Sequence, residues 1–313
     1  MSFLQIASWN VEHLSGNRRG ADNQSAYALA DHIEMAGVDI VALQEIYVTD
    51  EHEEVRLFDH QPVIASAALT GRRNRDLDIV CYLLEEHLGD AWRYQILPNR
   101  NLGDTEQLCA VMWNTTRVER GEVVRLDVVF NDDGDWLWDR APHAIQFTTT
   151  IRVWERAADG QSVQEDQQRS IVLVPLHMKS NFGGGAANPR KRSKEAKTLC
   201  EHLPWVEANM DPSVILIGDT NIKENTEAAI DHFIDAGYVD LNSADRSTYW
   251  SHRYGHSPFD RVFVKQGRRE FQYTRQYILQ SADLDAHDRE LSDHYMIKIS
   301  VKSYVDDADP RKP

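Results

Sequence analysis

The chain has 313 residues, of which 42% are hydrophobic and 27% are charged. This balance is typical of globular proteins and excludes a disordered, collagen-like or coiled-coil chain. The formal net charge of −16 argues against a protein that coats nucleic acid nonspecifically, because neutralising phosphates requires a basic surface. It remains compatible with an enzyme that has one local basic groove and holds divalent cations with carboxylates.

The sequence shows no signal for membrane insertion or export. No apolar run reaches the ~18–20 residues of a membrane span, and the first residues lack the charged region and cleavage site of a signal peptide. Three widely spaced cysteines, Cys81, Cys109 and Cys200, predict neither a disulfide framework nor a zinc ribbon. We therefore expect a cytoplasmic protein without a membrane span, and its oligomeric state stays open. Because no linker divides the chain, we expect one domain over residues 1–303 and a polar C-terminal tail over residues 304–313.

Hydrophobic patterns predict secondary structure along the whole chain. In chain order, we expect a strand at 3–9, a helix at 25–35, a strand at 38–43, a helix at 75–88, strands at 108–113, 123–130, 144–154 and 171–176, a helix at 189–203, a strand at 214–217, a helix at 226–236, and strands at 259–264 and 294–301. Many consecutive strands have no helix between them. The pattern therefore predicts an α/β fold in which two mixed sheets pack face to face with helices outside.

Polar side chains stand at the ends of five predicted strands. They are Asn10, Glu45, His177, the pair Asp219 and Asn221, and the pair Asp293 and His294. The ends of adjacent strands converge in space, and clefts form there. We therefore expect these side chains to form one metal-assisted hydrolytic site.

The residue types at these strand ends suit the hydrolysis of a phosphate ester. Mg²⁺ prefers oxygen ligands, which Glu45, Asp293 and Asn10 can supply, and it keeps waters for substrate oxygens. Displacement at phosphorus also needs a group that orients water, a role open to Asp219, and donors that stabilise developing charge. Such donors are available from Asn221, His177 and His294.

Six short motifs resemble those of the endonuclease/exonuclease/phosphatase superfamily and follow one another in the same order. They are WNVEH, ALQE, PLHMKSN, IGDTN, SPFDRVFV and LSDH, between residues 9 and 294. The resemblance implies a four-layer α/β-sandwich with two packed mixed β-sheets flanked by helices. It also implies a Mg²⁺-dependent phosphodiesterase or phosphatase, with Mn²⁺ as an alternative ion.

The resemblance assigns roles to individual residues at the metal. It implies metal binding by Asn10, Glu45 and Asp293. Water activation falls to Asp219, and contacts to the transition state fall to Asn221.

The resemblance also assigns partners to the two histidines. Asp260, in the motif FDRVF, would orient the ring of His294. His177 matches the second histidine of the family, and Glu106 is the best match for the glutamate that holds that histidine in deoxyribonuclease-like members. Arg140 resembles an arginine of the same subgroup that contacts phosphate.

One basic segment stands out in this acidic chain. A glycine-rich loop at residues 183–185 precedes a predicted helix whose first turns carry Arg190 and Arg192. Cations are unfavourable there because the helix dipole is positive at its N-terminus. Two interpretations remain open: a solvated face, or contacts to a phosphate backbone.

The predicted function is a Mg²⁺-dependent nuclease that hydrolyses DNA phosphodiester bonds, with the choice between endonuclease and exonuclease left open. One alternative is a phosphatase or phosphodiesterase of the same superfamily that acts on a small phosphorylated molecule, a lipid head group or a tyrosyl-DNA adduct. Another is a catalytically inactive binding module on the same fold.

Overall fold

The structure is a computed structural model that describes residues 3–16, 24–99, 107–126, 137–156 and 162–302. Within these ranges strands and helices follow the predicted alternation. The elements are β1 (Phe3–Leu14), α1 (Ala26–Ala36), β2 (Ile40–Ile46), α2 (Arg75–Leu88), β3 (Trp92–Leu97), β4 (Leu108–Asn114), β5 (Glu119–Arg125), β6 (His143–Arg156), β7 (Ser162–His177), α3 (Ala187–Asn209), β8 (Val214–Asp219), α4 (Ala228–Asp235), β9 (Tyr238–Asp240), β10 (Tyr249–Ser251), β11 (Gly255–Ser257), β12 (Asp260–Lys265), β13 (Tyr277–Leu279), α5 (Leu284–Glu290) and β14 (Met296–Lys302).

Two mixed six-stranded sheets form the body of the molecule. The first has the order β13-β14-β1-β2-β4-β3 and the second the order β5-β6-β7-β8-β12-β9. The pairs β1–β2 and β7–β8 are parallel, and the other paired strands in both sheets are antiparallel. A separate hairpin, β10–β11, lies outside both sheets.

Three buried apolar clusters define four layers. The central cluster joins side chains of both sheets, such as Ile6 and Val111 of the first and Leu173 and Ile215 of the second. A second cluster packs α1 and α2 on the outer face of the first sheet. A third packs α3 and α4 on the outer face of the second sheet. The predicted four-layer α/β-sandwich is therefore confirmed.

Several elements differ from the sequence-based prediction for physical reasons. Strand β3 was not predicted, because Arg93 and Gln95 interrupt its apolar pattern. Helix α3 continues past the predicted end at residue 203, through Pro204, to Asn209. Strand β5 begins at Glu119, before the predicted 123–130, of which residues 127–130 lie outside the described part of the chain.

Strand register places the polar strand ends side by side. Asp219 lies opposite both His177 on β7 and Asp260 on β12. In the first sheet, Asn10 lies opposite Gln44, immediately before Glu45. The parallel strands of both sheets therefore present their functional residues at the same end of the sandwich.

Gly218 permits the close approach of β8 to β7. Its φ of +150° is rarely adopted by residues with a side chain, and an added Cβ would lie 2.1 Å from the carbonyl oxygen of Leu176. Only glycine fits there without moving the backbone. The glycine of the G-D-x-N motif therefore places Asp219 directly beside His177.

No helix in the described part of the chain is long and apolar enough to cross a membrane. The predicted cytoplasmic location and the domain boundaries stay predictions, and the tail at 304–313 lies outside the described residues.

A buried ion pair fixes the loop behind β12. The Arg261 guanidinium, fully buried, donates to Asp240 Oδ2 at 2.6 Å, to the carbonyl oxygen of Asn242 at 3.2 Å and to Asp245. The same loop ends at Thr248, whose Oγ1 accepts a 2.8 Å hydrogen bond from the backbone N–H of Asp260. Removing one member of a buried pair leaves an uncompensated charge.

We expect Arg261→Met to lower the free energy of unfolding by about 3–5 kcal/mol, because the buried Asp240 carboxylate would lose its partner. Guanidinium unfolding followed by circular dichroism measures this change. The control is Arg56→Met, which removes the exposed Arg56–Glu54 pair and should cost below about 1 kcal/mol. Equal losses in both variants would contradict a stabilising role for Arg261.

Candidate active site

A buried histidine–aspartate pair connects the two sheets. His294 lies just before β14 of the first sheet. Its Nδ1 is 2.9 Å from Oδ2 of Asp260 on β12 of the second sheet. Both residues are buried, and the rings of Tyr249 and Phe259 lie at 5.0 and 6.1 Å from the His294 ring. Burial alone would lower the pKa of His294, but the carboxylates of Asp260 and Asp219 outweigh it and raise the pKa well above its usual range. The surroundings of His294 therefore favour the imidazolium form, and Asp260 fixes the orientation of the ring.

The carboxylate of Asp219 lies between two histidines. Its Oδ2 is 3.7 Å from His177 Nε2 and 3.9 Å from His294 Nε2. These separations exceed direct hydrogen bonds and leave both Nε2 atoms available to a group placed beside the carboxylate. Burial, followed by the Asp260 charge, raises the pKa of Asp219 to about 7, against the lowering effects of His294, Asn221 and Asn10. Asp219 can therefore exchange a proton near neutral pH.

Asn221 is held by the same carboxylate. Its backbone N–H donates to Asp219 Oδ1 at 2.8 Å, and its Nδ2 lies 3.4 Å from the carbonyl oxygen of Met178. The G-D-x-N motif thus forms a compact turn that fixes its aspartate and asparagine against each other.

His177 is buried, and its surroundings favour the neutral imidazole. Burial, followed by the positive charges of Arg140 and of the neighbouring histidines, lowers its pKa well below the usual value. Its Nδ1 has no hydrogen-bond partner among the described residues. Glu106, the predicted partner, lies outside the described residues, so that pairing stays a prediction.

The predicted metal ligands Asn10 and Glu45 are in direct contact. Asn10 Nδ2 donates to Glu45 Oε1 and to Asp219 Oδ2, each at 3.0 Å. Asn10 Oδ1 accepts the backbone N–H of Glu12 at 3.0 Å. The first sheet is thereby connected to the second through the side chains of the site itself.

The backbone around the site is strained. Positive φ angles occur at Glu12 (44°), His13 (59°), Ser15 (63°), Glu45 (63°) and Asn221 (55°). For residues other than glycine this conformation costs roughly 1–2 kcal/mol each. The register between β1 and β2 also shifts between Asn10 and Leu14. Such strain concentrates at functional sites, where the surrounding structure fixes unusual side-chain directions.

Crowded carboxylates indicate that the site fits a cation. Burial and the negative charges of Glu12 and Glu45 raise the pKa of Asp293 to about 8, although His294 acts in the opposite direction. The backbone N–H of Asp293 also lies 3.3 Å from Glu12 Oε2. A divalent cation would relieve the repulsion among the carboxylates of Glu12, Glu45 and Asp293. Oxygen donors are the ligands that Mg²⁺ prefers. The residues present therefore fit the metal that the motifs imply.

A second group of metal-ligand atoms lies beside the predicted ligands. Asp219, Asp260 and His294 place one such atom each within 4.8 Å of one another. The 2.9 Å contact between His294 and Asp260 accounts for part of this proximity. We retain Asn10, Glu45 and Asp293 as the metal-ligand prediction.

Arg140 reaches the site through Gln107, a residue not predicted from the sequence. Gln107 Nε2 donates to Glu45 Oε2 at 2.9 Å, and its Oε1 accepts a hydrogen bond from Arg140 Nη2. His13 is also close, with its Nε2 3.4 Å from Glu45 Oε2. The only sequence signal for Gln107 is its position directly before β4, next to Glu106.

The prediction that Arg192 contacts a phosphate backbone is wrong. The side chain is fully buried and forms a bidentate pair with Glu227 at 2.8 and 2.9 Å. It also donates to the carbonyl oxygen of Lys179 and to Asn181 Oδ1, each at 3.1 Å. Arg192 therefore holds the loop after His177. Arg190 is exposed at the start of α3, and its predicted role stays a prediction.

Comparisons with known proteins place this geometry in context. The model of the Endonuclease/Exonuclease/phosphatase family matches residues 7–294. No curated protein matches the chain significantly.

Solved structures share the fold at low sequence identity. A mannosyl-6-phosphatase of Bacteroides thetaiotaomicron VPI-5482 is 14% identical with a TM-score of 0.56, covering 96% of this chain and 99% of that one. D. rerio TDP2, complexed with single strand DNA product, is 17% identical with a TM-score of 0.54, covering 96% and 100%. The human Nocturnin catalytic domain, with bound sulfate anion, is 15% identical with a TM-score of 0.53, covering 96% and 93%. At these identities the likeness shows the fold.

The match extends over nearly the whole chain and includes every strand end that carries a candidate site residue. Members of this superfamily are hydrolases that act on phosphoester bonds, and they typically depend on a divalent metal. The chain belongs to the endonuclease/exonuclease/phosphatase family.

Proposed function

We propose that this protein hydrolyses phosphate esters with Mg²⁺, or with Mn²⁺ in its place, at the cluster around Asp219. The observation that carries the proposal is the arrangement of His177 and His294, whose Nε2 atoms both face one oxygen of the Asp219 carboxylate at 3.7 and 3.9 Å. A neutral histidine and an imidazolium on either side of a carboxylate form a site that can hold a phosphoryl group and a water together.

Asn10, Glu45 and Asp293 would hold the metal. When bound, a divalent cation neutralises phosphate oxygens and lowers the barrier to attack at phosphorus. Glu45 is oriented for this role by Asn10 at Oε1 and by Gln107 at Oε2.

The other residues of the cluster act on the water and on the phosphoryl oxygens. Asp219 orients the attacking water and accepts its proton, because burial has raised its pKa to about 7. His294 donates from Nε2 to a phosphoryl oxygen while Asp260 holds Nδ1. Asn221, fixed to Asp219 Oδ1, supplies a further amide donor.

The substrate class has two candidates. DNA, the prediction from the sequence, is supported by the structural similarity to TDP2 complexed with a single-stranded DNA product. A small phosphate ester is supported by the similarity to a mannosyl-6-phosphatase and by the burial of Arg192, which removes one expected phosphate contact. A catalytically inactive module is disfavoured, because the described candidates around Asp219 form one connected cluster.

A panel of substrates tests the proposed activity. We expect hydrolysis of at least one among plasmid DNA, single-stranded DNA, RNA, an abasic duplex, bis(p-nitrophenyl) phosphate and p-nitrophenyl phosphate when Mg²⁺ or Mn²⁺ is present. EDTA should abolish it, because the carboxylates alone cannot neutralise the phosphate. Full activity in EDTA would contradict the metal-dependent mechanism.

Replacing the central metal ligand should separate binding from folding. We expect Glu45→Gln to abolish turnover and to weaken Mg²⁺ binding in isothermal titration calorimetry, because one charged oxygen ligand is lost. The melting temperature without metal should not fall, since the variant removes one of the crowded negative charges. The control, Glu201→Gln on the exposed face of α3, should bind Mg²⁺ as the original protein does.

The Asp260–His294 pair should behave as one unit. We expect His294→Gln to lower turnover by roughly 10²–10³, the typical loss on removal of one preorganised donor. Asp260→Asn should lose much of the same factor, because the carboxylate orients the ring and keeps it protonated. The double variant should be hardly worse than His294→Gln alone. If the double variant simply multiplies the two single losses, the pairing has no catalytic role.

A further inference from the structure

Two lysines beside the active site share one carboxylate, that of Asp139. Lys191 Nζ lies 2.8 Å from Asp139 Oδ1, and Lys179 Nζ lies 3.2 Å from Asp139 Oδ2. Each carboxylate oxygen thus has its own ammonium group. All three side chains are about one third exposed, at 38% for Asp139, 29% for Lys179 and 27% for Lys191. A ligand at the surface can therefore reach them.

The backbone that carries Asp139 is fixed on the side of the site. Asn99 Nδ2 donates to the carbonyl oxygen of Asp139 at 3.0 Å, and Asn99 Oδ1 accepts the N–H of Ala141 at 2.9 Å. The preceding residue, Trp138, is buried in the cluster between the second sheet and its helices. The next residue, Arg140, contacts the Gln107 side chain that orients Glu45.

The backbone at the two lysines is also held in place. The backbone N–H of Lys179 donates to the buried carboxylate of Glu195 at 2.9 Å, and its carbonyl oxygen accepts from Arg192 at 3.1 Å. Lys191 precedes the buried Arg192 on α3. The backbone that carries the carboxylate and the two ammonium groups therefore forms one edge of the site, where Lys179 is two residues from His177 and Asp139 is next to Arg140.

We propose that Asp139 is a specificity-determining residue that offsets one of the two positive charges of Lys179 and Lys191 and thereby disfavours polynucleotides relative to small phosphate esters at the adjacent site. The inference rests on the proposed phosphoesterase function and names its substrate class. A polynucleotide bound at His294 and Asp219 carries further phosphates past this edge. Each such phosphate meets two lysines that already share a carboxylate, so it gains less attraction than it would from two unpaired lysines. A small ester ends at the reacting phosphate and does not reach Asp139.

Removing the carboxylate should convert this edge into a polyanion-binding surface. We expect Asp139→Asn to bind a fluorescent single-stranded oligonucleotide roughly tenfold more tightly than the original protein at low salt. The plot of log Kd against log salt concentration should become steeper by roughly one unit, because about one more phosphate is neutralised. Fluorescence anisotropy of the full-length protein in EDTA measures both quantities without turnover. With Mg²⁺, kcat/KM for the oligonucleotide should rise while kcat/KM for bis(p-nitrophenyl) phosphate stays unchanged.

Two further variants distinguish this role from a general charge effect. Glu201→Gln removes the same charge from an exposed position on α3, ten residues and about 15 Å along the helix from Lys191, and should leave oligonucleotide binding unchanged. Lys191→Gln should weaken oligonucleotide binding less in the original protein, where the lysine is paired with Asp139, than in the Asp139→Asn background. In the Asp139→Asn background it should remove most of the gain.

The outcomes separate the inference from the proposed function. Unchanged oligonucleotide binding by Asp139→Asn, or an equal gain in Glu201→Gln, overturns the inference. A parallel loss on both substrates also overturns it, because it shows that Asp139 only positions Arg140. If no phosphate ester is hydrolysed with any metal, the proposed function fails, and the effect of Asp139 on binding is still measured in EDTA.

Discussion

The hydrogen bond between His294 Nδ1 and Asp260 Oδ2 joins the two sheets at the end where the site lies. Each partner is fixed from behind by backbone contacts. The Asp260 N–H donates to Thr248 Oγ1, and Gln276 Nε2 donates to the Asp260 carbonyl oxygen. The carbonyl oxygen of His294 accepts the indole N–H of Trp9 at 3.0 Å. A rotation of the His294 ring or of the Asp260 carboxylate would break the hydrogen bond that joins the two sheets, so the imidazole is held in one orientation.

This pair also makes the buried negative charge tolerable. Asp219 and Asp260 are almost fully buried, and isolated carboxylates in such surroundings would be costly. The His294 imidazolium offsets part of that cost and owes its charge to the same carboxylates. The negative charge that remains around Glu45 and Asp293 would be offset by a further cation. Structural stability and the proposed metal binding would thus depend on one group of residues.

The residues at the strand ends could be predicted from the sequence, but some of the side chains that contact them could not. His177, Asp219 and His294 could be found because apolar runs mark the strands and each functional residue directly follows or precedes one. Contacts between residues far apart in the sequence are different, since they depend on a three-dimensional register that no local pattern records, and only the family resemblance predicted the Asp260–His294 pair. Gln107 therefore escaped prediction, although it orients Glu45.

The basic segment at the start of α3 shows most clearly what the local sequence alone does not predict. A run of cations at the start of a helix indicates exposure when only the local sequence is considered, yet Arg192 is buried against Glu227, 35 positions away in the chain. Helix periodicity places Arg192 on the same face as the buried Glu195, Ala196 and Leu199, a sign that it faces inward. Its partner could not be inferred, because Glu227 lies in the turn after the G-D-x-N motif. The helical position thus carried information about burial, and the fold alone supplied the charge that makes burial possible.

Charge at the site acts over two distances, and they favour different ligands. In physiological salt, exposed charges are screened beyond about 8 Å, so an extended polyanion senses the net charge of each patch that it crosses. Asp139 removes one unit of positive charge from the patch formed by Lys179 and Lys191, in a chain whose formal net charge is already −16. A phosphate within the site responds instead to contacts at hydrogen-bond distance, such as those that we propose for Nε2 of His294 and the amide of Asn221. By our proposal, Asp139 therefore weakens the attraction of this edge for long polyanions and leaves the contacts to a single phosphate within the site unchanged.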